Sequence, residues 1–264
     1  MNLDPKHLRR SVLNMAYGGQ TVHVACAFSI IEILSVLYSR FLKYDAVDPE
    51  SADRDFFVLS KGYGVMAAYA VFREIGWISD DELARYFSDD STLHGLAEAR
   101  VPGLEVTTGS LGHGLPVATG IALGLKRDGR LDRKVFCLVG DGEMNEGPMW
   151  ESMLFAGHHD LTNLCIIVDA NQFQAMGATS EILHLEPLAD KFKAFGFETL
   201  ECDGHDCEAI DESIARLLST SAKPKALIAR TLKGHGVSFM AGENSWHYTR
   251  LDAETHSRAL AELV

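Results

Sequence analysis

Three compact apolar runs constrain this chain more than anything else in it. They are VFCLVG (Val135 to Gly140), LCIIVD (Leu164 to Asp169) and ALIAR (Ala226 to Arg230). Each is short for a helix, and each is apolar at successive positions rather than alternate ones. Strands of a parallel sheet, covered by helices above and below, read this way. FFVLS (Phe56 to Ser60) adds a fourth such run. Helical signals lie between the runs. Lys6 to Tyr17 predicts a first helix. Ser29 is placed to cap a second, with Ile30, Ile33, Leu34, Leu37 and Phe41 on its apolar face. Gly64 to Gly76 predicts a helix ended by glycine. Ser79 to Phe87 opens S-D-D-E, a capping-box pattern, and Leu251 to Leu263 predicts a last helix. The alternation predicts an α/β fold: a doubly wound, mainly parallel sheet with helices on both faces. No repeat, low-complexity tract or linker interrupts it, so residues 1–264 are expected to form a single domain. Asp89 to Gly114 is irregular and glycine-rich, and a loop that long in a compact domain is usually functional.

Charge and composition exclude several classes of function. The formal charge of -13 leaves no basic footprint for nucleic acid. No apolar stretch approaches the roughly 18 residues of a membrane span. MNLDPKHLRR has no apolar segment behind it and is not a signal peptide. The five cysteines are an odd number, and Cys137 and Cys165 fall inside strand-like runs, which fits a reducing cytoplasm.

The chemistry concentrates at GDGEMNEG (Gly140 to Gly147), directly after the strand VFCLVG. The next strand, LCIIVD, runs into Ala170-Asn171-Gln172, and Asn171 follows Asp141 by about thirty residues. Ligands of open parallel sheets bind beyond the carboxyl ends of the strands. A carboxylate and an amide oxygen at two such ends can share one hard cation. Gly140 and Gly142 allow close approach of a phosphate, and a helix starting near Glu146 offers free N–H groups to an anion. A solvated turn is the bland alternative for GDG alone; the partnered Asn weighs against it. G-S-L-G-H-G (Gly109 to Gly114) lacks the preceding strand that a nicotinamide-binding fingerprint needs. Cys202-Asp203-Gly204-His205-Asp206-Cys207 offers three soft ligands and no partner pair for a closed zinc site; DGHD within it reads as a strand-to-helix turn.

GDG with an Asn about thirty residues later resembles the signature of thiamine-diphosphate enzymes. TTGSLGHG (Thr107 to Gly114), DGHD (Asp203 to Asp206), KGHGVSFM (Lys233 to Met240) and SWH (Ser245 to His247) narrow the likeness to the N-terminal subunit of a split transketolase, along essentially the whole chain. The resemblance implies thiamine diphosphate as cofactor. It implies magnesium, or another divalent cation such as Ca2+ or Mn2+, held by Asp141, Asn171 and the backbone carbonyl of Phe173. Gly109, Ser110 and Leu111 would line the cofactor, with Leu111 in apolar contact with its rings. Gly142, Asn171 and His247 would touch the diphosphate side, and Tyr63 and Glu143 join the same cofactor-binding set. His23, His94, His247 and Glu146 would be the catalytic positions. Glu146 matches an acidic position that links two active sites, and His23 and His94 match substrate-binding histidines. His94 stands in H-G where the family reads G-H, and His113 stands where Gln is usual.

Two further departures concern substrate. Where the family commonly has S-x-G-H, this chain has Ser60-Lys61-Gly62-Tyr63, and a phenol cannot act as an imidazole acid–base near neutral pH. Where sugar-phosphate enzymes often carry F-R-Q, this chain has Tyr86-Phe87-Ser88, and Phe87 cannot form a charge-assisted bond to phosphate.

The implied activity is ketol transfer from a ketose donor to an aldehyde acceptor, with the thiazolium as electron sink. The implied partner is a separate C-terminal subunit carrying the pyrimidine-binding domain and the activating glutamate, in a heterotetramer of two copies of each. The substrates would be sugars or sugar phosphates. The alternatives are an alpha subunit of a 2-oxo-acid dehydrogenase, against which DGHD and KGHGVSFM speak, and a non-catalytic relic of the fold.

Overall fold

The computed structural model describes residues 3–220 and 222–263. Helix α1 (Pro5–Gly18) starts on a Pro and an Asp4 cap whose carboxylate accepts from Lys6 N. Two short helices follow, α2 (Val24–Phe28) and α3 (Ile31–Val36), then a π-helical turn over Leu37–Phe41. The alternating body comprises β1 (Phe56–Leu59), α4 (Val65–Glu74), α5 (Asp80–Ala84), α6 (Gly114–Arg127), β2 (Val135–Gly140), α7 (Gly147–His158) and β3 (Leu164–Ala170). It continues through α8 (Thr179–Ile182), α9 (Leu188–Ala194), β4 (Glu198–Asp203), α10 (Cys207–Leu218), β5 (Lys225–Arg230) and α11 (Ala253–Glu262). No helix among the described residues is long and apolar enough to cross a membrane.

The five strands form one parallel sheet in the order β1-β2-β3-β5-β4. Side chains alternate between its two faces, and both faces are covered. On one, Val58, Cys137, Val139, Ile166 and Ile228 pack with Leu115, Met149 and Phe192 from α6, α7 and α9. On the other, Phe57, Phe136, Leu138, Ile167 and Leu227 pack with Leu8, Ile33, Phe72 and Ile210 from α1, α3, α4 and α10. This is the doubly wound architecture that the apolar runs predict.

Register then places the site. Gly140 pairs with Asp169, and Asp169 pairs with Ala229. The carboxyl ends of β2, β3 and β5 therefore open at one level, with Asp141, Asn171 and Thr231 just beyond it.

Two expectations are corrected. Ser29 does not cap a helix, and the expected second helix is broken at Ser29-Ile30. Its hydroxyl is fully buried and donates to Cys26 O (3.1 Å) and Asp169 Oδ2 (2.8 Å). The charge-assisted bond it donates to a buried carboxylate is stronger than the neutral bond a capping hydroxyl accepts from a helix N–H. Strand β4 also escapes sequence reading. ETLECD lies at a sheet edge, is half-exposed, and carries too few apolar residues to stand out. The capping box at Ser79 forms as the sequence predicts, and DGHD is the strand-to-helix turn expected, with Asp206 capping α10. Residues 85–113 contain no helix or strand. That long segment is tied down by Ala97 N to Gly62 O (3.2 Å), Thr108 N to Ala97 O (2.9 Å) and Thr108 Oγ1 to Leu59 O (2.7 Å).

Candidate functional site

The strand ends bring Asp141 and Asn171 together. Asp141 is 5% exposed. Its carboxylate accepts from Gly142 N (2.7 Å) and from Gln172 N (2.5 Å), which places the β3 turn against the β2 turn. Gln172 takes a left-handed conformation, φ 67°, to do so. No ion pair to Asp141 exists among the described residues. Burial, and then the charge of Asp169, push its carboxyl up to about 7.

Asn171 is oriented by its neighbours. Its Nδ2 donates to Asp169 Oδ2 (2.8 Å), and its Oδ1 accepts from Phe173 N (3.0 Å). Asp169 is fully buried in an ion pair with the equally buried Lys61, and also accepts from Ser29 and Thr231. Burial opposes its ionisation, but Lys61 with the two hydroxyls outweighs burial and holds the carboxyl below its ordinary value. An ionised carboxylate only accepts, so the Asn171 amide must turn its NH2 inward. An unpaired buried carboxylate beside an amide oxygen of fixed orientation fits a hard cation taken by oxygen ligands.

The raised pKa of Asp141 has a consequence for stability. A carboxyl whose folded value exceeds its unfolded value near 4 stabilises the fold below pH 4 and loses that contribution as pH rises towards 7. The expected slope reaches about 1.4 kcal/mol per pH unit for one such group. The metal-free chain should therefore show a Tm that falls by several degrees between pH 5 and pH 8. Magnesium with thiamine diphosphate should flatten the Asp141 part of that slope. Calorimetric scans across this range, with Asp141→Asn as the control that lacks the group, measure it.

Glu143 points inward. It is fully buried and accepts from Ser60 Oγ (2.6 Å), Gly112 N (2.9 Å) and Gly140 N (3.3 Å). Burial pushes its carboxyl up. It thus clamps the loop carrying Gly109, Ser110 and Leu111 onto the GDG turn instead of facing the cleft itself. The two glycines of that turn make room for protein side chains. A Cβ on Gly140 would stand 2.9 Å from Tyr63 Oη, and one on Gly142 would stand 2.8 Å from Gln174 Cγ. Ser110 is exposed, and Leu111 and Gly109 are half-buried. Glu146 is exposed and stands at the start of α7.

Three elements converge on the histidines. His23, at φ 72°, meets His247 edge-on with ring centroids 5.1 Å apart, and His23 N donates to His247 O (3.1 Å). Tyr63 and Tyr248 flank His23 at 5.8 and 5.4 Å. Burial, then the charges of Lys233 and Lys61, lower His23 to about 4; burial, then Lys233, lowers His247 to about 3. Both imidazoles are neutral near pH 7. Burial also keeps the Tyr63 phenol protonated. Sequence reading missed Lys233, which is 1% exposed with its Nζ 2.7 Å from His247 Nδ1 and 2.8 Å from Asn244 Oδ1. The signal was the Lys opening KGHGVSFM.

A cleft of about 710 Å³ opens beside His23, between Gln20–Thr21, the segment Phe87–Asp90, His94 and Arg250. His94 lines it, but both ring nitrogens are occupied, Nδ1 by Glu98 Oε1 (2.6 Å) and Nε2 by Ser91 O (3.1 Å). His113 is exposed and turns Nδ1 to Leu111 O (3.0 Å). His205 bridges Glu32 Oε2 (3.1 Å) and Leu232 N (2.7 Å), and Glu32 is already held by Arg9. Cys202 and Cys207 join no metal-spaced group among the described residues.

A parallel α/β sheet with a GDG turn and an oriented Asn at adjacent strand ends is the architecture of a diphosphate-binding domain. Comparison with known proteins places the chain within that class. Residues 8–262 match the family "Transketolase, thiamine diphosphate binding domain". The chain belongs to this family, on the transferase side represented by transketolase. It is 40% identical over 98% of its length to an apulose-4-phosphate transketolase subunit from Actinobacillus succinogenes, covering 94% of that protein. It is 37% identical over 91% of its length to the 6-deoxy-6-sulfo-D-fructose transketolase subunit SqwG of Clostridium sp., covering 88% of it. The solved transketolase of Campylobacter jejuni superposes with a TM-score of 0.90 at 29% identity, over all of this chain and 43% of that one. The chain thus corresponds to the N-terminal subunit of a split transketolase and spans about two fifths of that solved single-chain enzyme.

Proposed function

We propose that this chain is the diphosphate-binding subunit of a two-chain ketol transferase. It would hold thiamine diphosphate through a magnesium ion on Asp141, Asn171 and the Phe173 carbonyl. The observation that carries this reading is the Asp141 carboxylate: buried, without a cationic partner among the described residues, and beside an amide whose oxygen is turned to the same strand ends. A cofactor of this class supplies an electron sink for the two-carbon fragment. The chain's own groups do the rest. The loop of Gly109, Ser110 and Leu111, clamped by Glu143, forms one wall of the site. Neutral His23 and His247 offer hydrogen bonds to substrate oxygens rather than positive charge, and the enclosed strand ends exclude water.

The partner would supply the pyrimidine pocket and the activating glutamate, and two copies of each chain would form the working assembly. Five unpaired cysteines support a reducing, cytoplasmic setting. The test is reconstitution. This chain alone should transfer no ketol unit, and addition of a pyrimidine-domain partner should start turnover with a magnesium requirement. Turnover by the partner-free chain, or decarboxylation of a 2-oxo acid by the pair, would overturn the reading.

Substrate choice follows from the cleft. Phe87 is 52% exposed there, and Asp89 and Asp90 line it, with no cation paired to either carboxylate among the described residues. Arg100 is engaged by Glu98 (2.8 Å) and by the ring of His94 (2.9 Å to Nδ1). Among the described residues Arg250 is the one arginine lining the cleft, tied by Nε to Gln20 O (2.6 Å). Two unpaired carboxylates against one guanidinium, with the third lining carboxylate, Glu98, already paired to Arg100, favour hydroxyl groups over a phosphate dianion. The expected result is that Asp89→Asn with Asp90→Asn raises kcat/KM for a phosphorylated acceptor, by about tenfold if two charge contacts of ~0.7 kcal/mol each are relieved. The variant should gain nothing for the unphosphorylated acceptor. Steady-state kinetics of the reconstituted pair with matched acceptors measure both.

A further inference from the structure

We infer that Lys233 is a positioning residue that fixes the tautomer of His247 and makes its Nε2–H a permanent donor to the site. The inference rests on the functional reading above only for what that donor meets.

Lysine carries only donors, whereas a neutral imidazole has one donor nitrogen and one acceptor. Lys233 Nζ lies 2.7 Å from His247 Nδ1. It also lies 2.8 Å from Asn244 Oδ1. The orientation of Asn244 is independently set, because its Nδ2 donates to Ala175 O (3.1 Å). Lys233 therefore donates to an oxygen on one side and faces a ring nitrogen on the other. Nδ1 must be the acceptor, and the ring proton of neutral His247 must sit on Nε2.

The setting makes this arrangement rigid. Lys233 is buried, and its ammonium lies 5.7 Å from the centre of the Phe173 ring, next to the proposed cation site. Cys26 Sγ is 3.7 Å from the same Nδ1, too weak an acceptor to hold an Nδ1–H against an ammonium. His247 is 8% exposed, and the His23 ring packs edge-on against it. A ring that was free to exchange tautomers would present a donor in some molecules and an acceptor in others. Fixed as an Nε2–H donor, it can meet only oxygen acceptors, as diphosphate and substrate oxygens are.

Nitrogen-15 spectra of the full-length chain, labelled at histidine and assigned with His247→Gln, test this without any turnover. The expected pattern is a protonated Nε2 and an unprotonated Nδ1 in the native chain. Lys233→Met should replace it with the averaged shifts of two exchanging tautomers. Lys233→Arg, which keeps a donor, should restore the native pattern. In the reconstituted pair, Lys233→Met should lower kcat/KM by about tenfold, the scale of one hydrogen bond lost to a charged group. Lys233→Arg should recover part of that loss. A native ring protonated at Nδ1, or a Lys233→Met spectrum identical to the native one, would overturn the inference. If the tautomer pattern is as expected while no ketol transfer occurs with any partner, the positioning role stands and the functional reading is what fails.

Discussion

Asp141→Asn should give a folded chain that no longer takes up thiamine diphosphate in a magnesium-dependent way. The two halves of this result have opposite signs, which makes it informative. In the metal-free protein the Asp141 carboxylate is a buried charge without a cationic partner among the described residues, and its pKa of about 7 records what that burial costs. An amide of the same shape removes the charge, so the metal-free variant should be at least as stable as the native chain above pH 7. With cofactor and magnesium present, the same change removes the only anionic side chain proposed to touch the ion. Loss of groups one layer further out commonly costs 10–100-fold in metal affinity, so this loss should exceed about 100-fold. Calorimetric titration of magnesium and cofactor, beside thermal unfolding of the metal-free proteins, reads both halves. Native affinity in a stable Asp141→Asn chain would remove Asp141 from the site.

Lys61→Met should instead fail in the fold. Lys61 and Asp169 are both fully buried, and removal of the lysine leaves a carboxylate with hydroxyl and amide donors but no opposite charge. Breaking a buried ion pair from one side costs about 3–5 kcal/mol. At this chain length that corresponds to a Tm lower by roughly 10 °C. Exchanging both partners should be far milder. Lys61→Met with Asp169→Asn keeps the volume and leaves no uncompensated charge, and such neutral replacements of buried pairs are often neutral or stabilising. The double variant should recover most of the stability yet bind magnesium less tightly, because Asn171 would no longer face an obligate acceptor. Denaturant unfolding of the three proteins measures the first effect. A double variant no more stable than Lys61→Met would show that the pair matters for packing rather than charge.

The sheet was legible because its strands are buried on both faces, and VFCLVG and LCIIVD are apolar throughout apart from the closing Asp169. Edge strand β4 was not, because a strand wetted on one side looks like any polar segment. The Asp141 and Asn171 turns could be found because strand ends and glycines leave local marks. The networks that orient them could not. Lys61 and Asp169 are far apart in sequence, and each alone reads as a solvated charge at the end of an apolar run; only the register of β1, β2 and β3 brings them together. Ser29 misled for the same reason. A serine before an apolar run has the look of a helix cap, and its true acceptor lies on a strand that local sequence does not reveal. Glu143 sits within the most conspicuous motif of the chain, and its inward turn depends on Ser60 and Gly112, both distant in sequence.

The irregular stretch over residues 85–113 divides the chain's tasks unequally. Every group proposed to hold the ion stands on the β2 and β3 ends, where a substitution disturbs the sheet that folds the protein. Phe87, Asp89, Asp90 and His94 belong to a segment that contributes no strand and is moored by a few hydrogen bonds and by buried Leu93, Ala97, Val101 and Leu104. Exchanges among these residues leave the sheet and its two packed faces intact. Such a scaffold can drift in the sugars it admits while its reactive centre stays under strict constraint. Related proteins can thus diverge towards differently decorated carbohydrates through a few surface replacements, without first having to be restabilised.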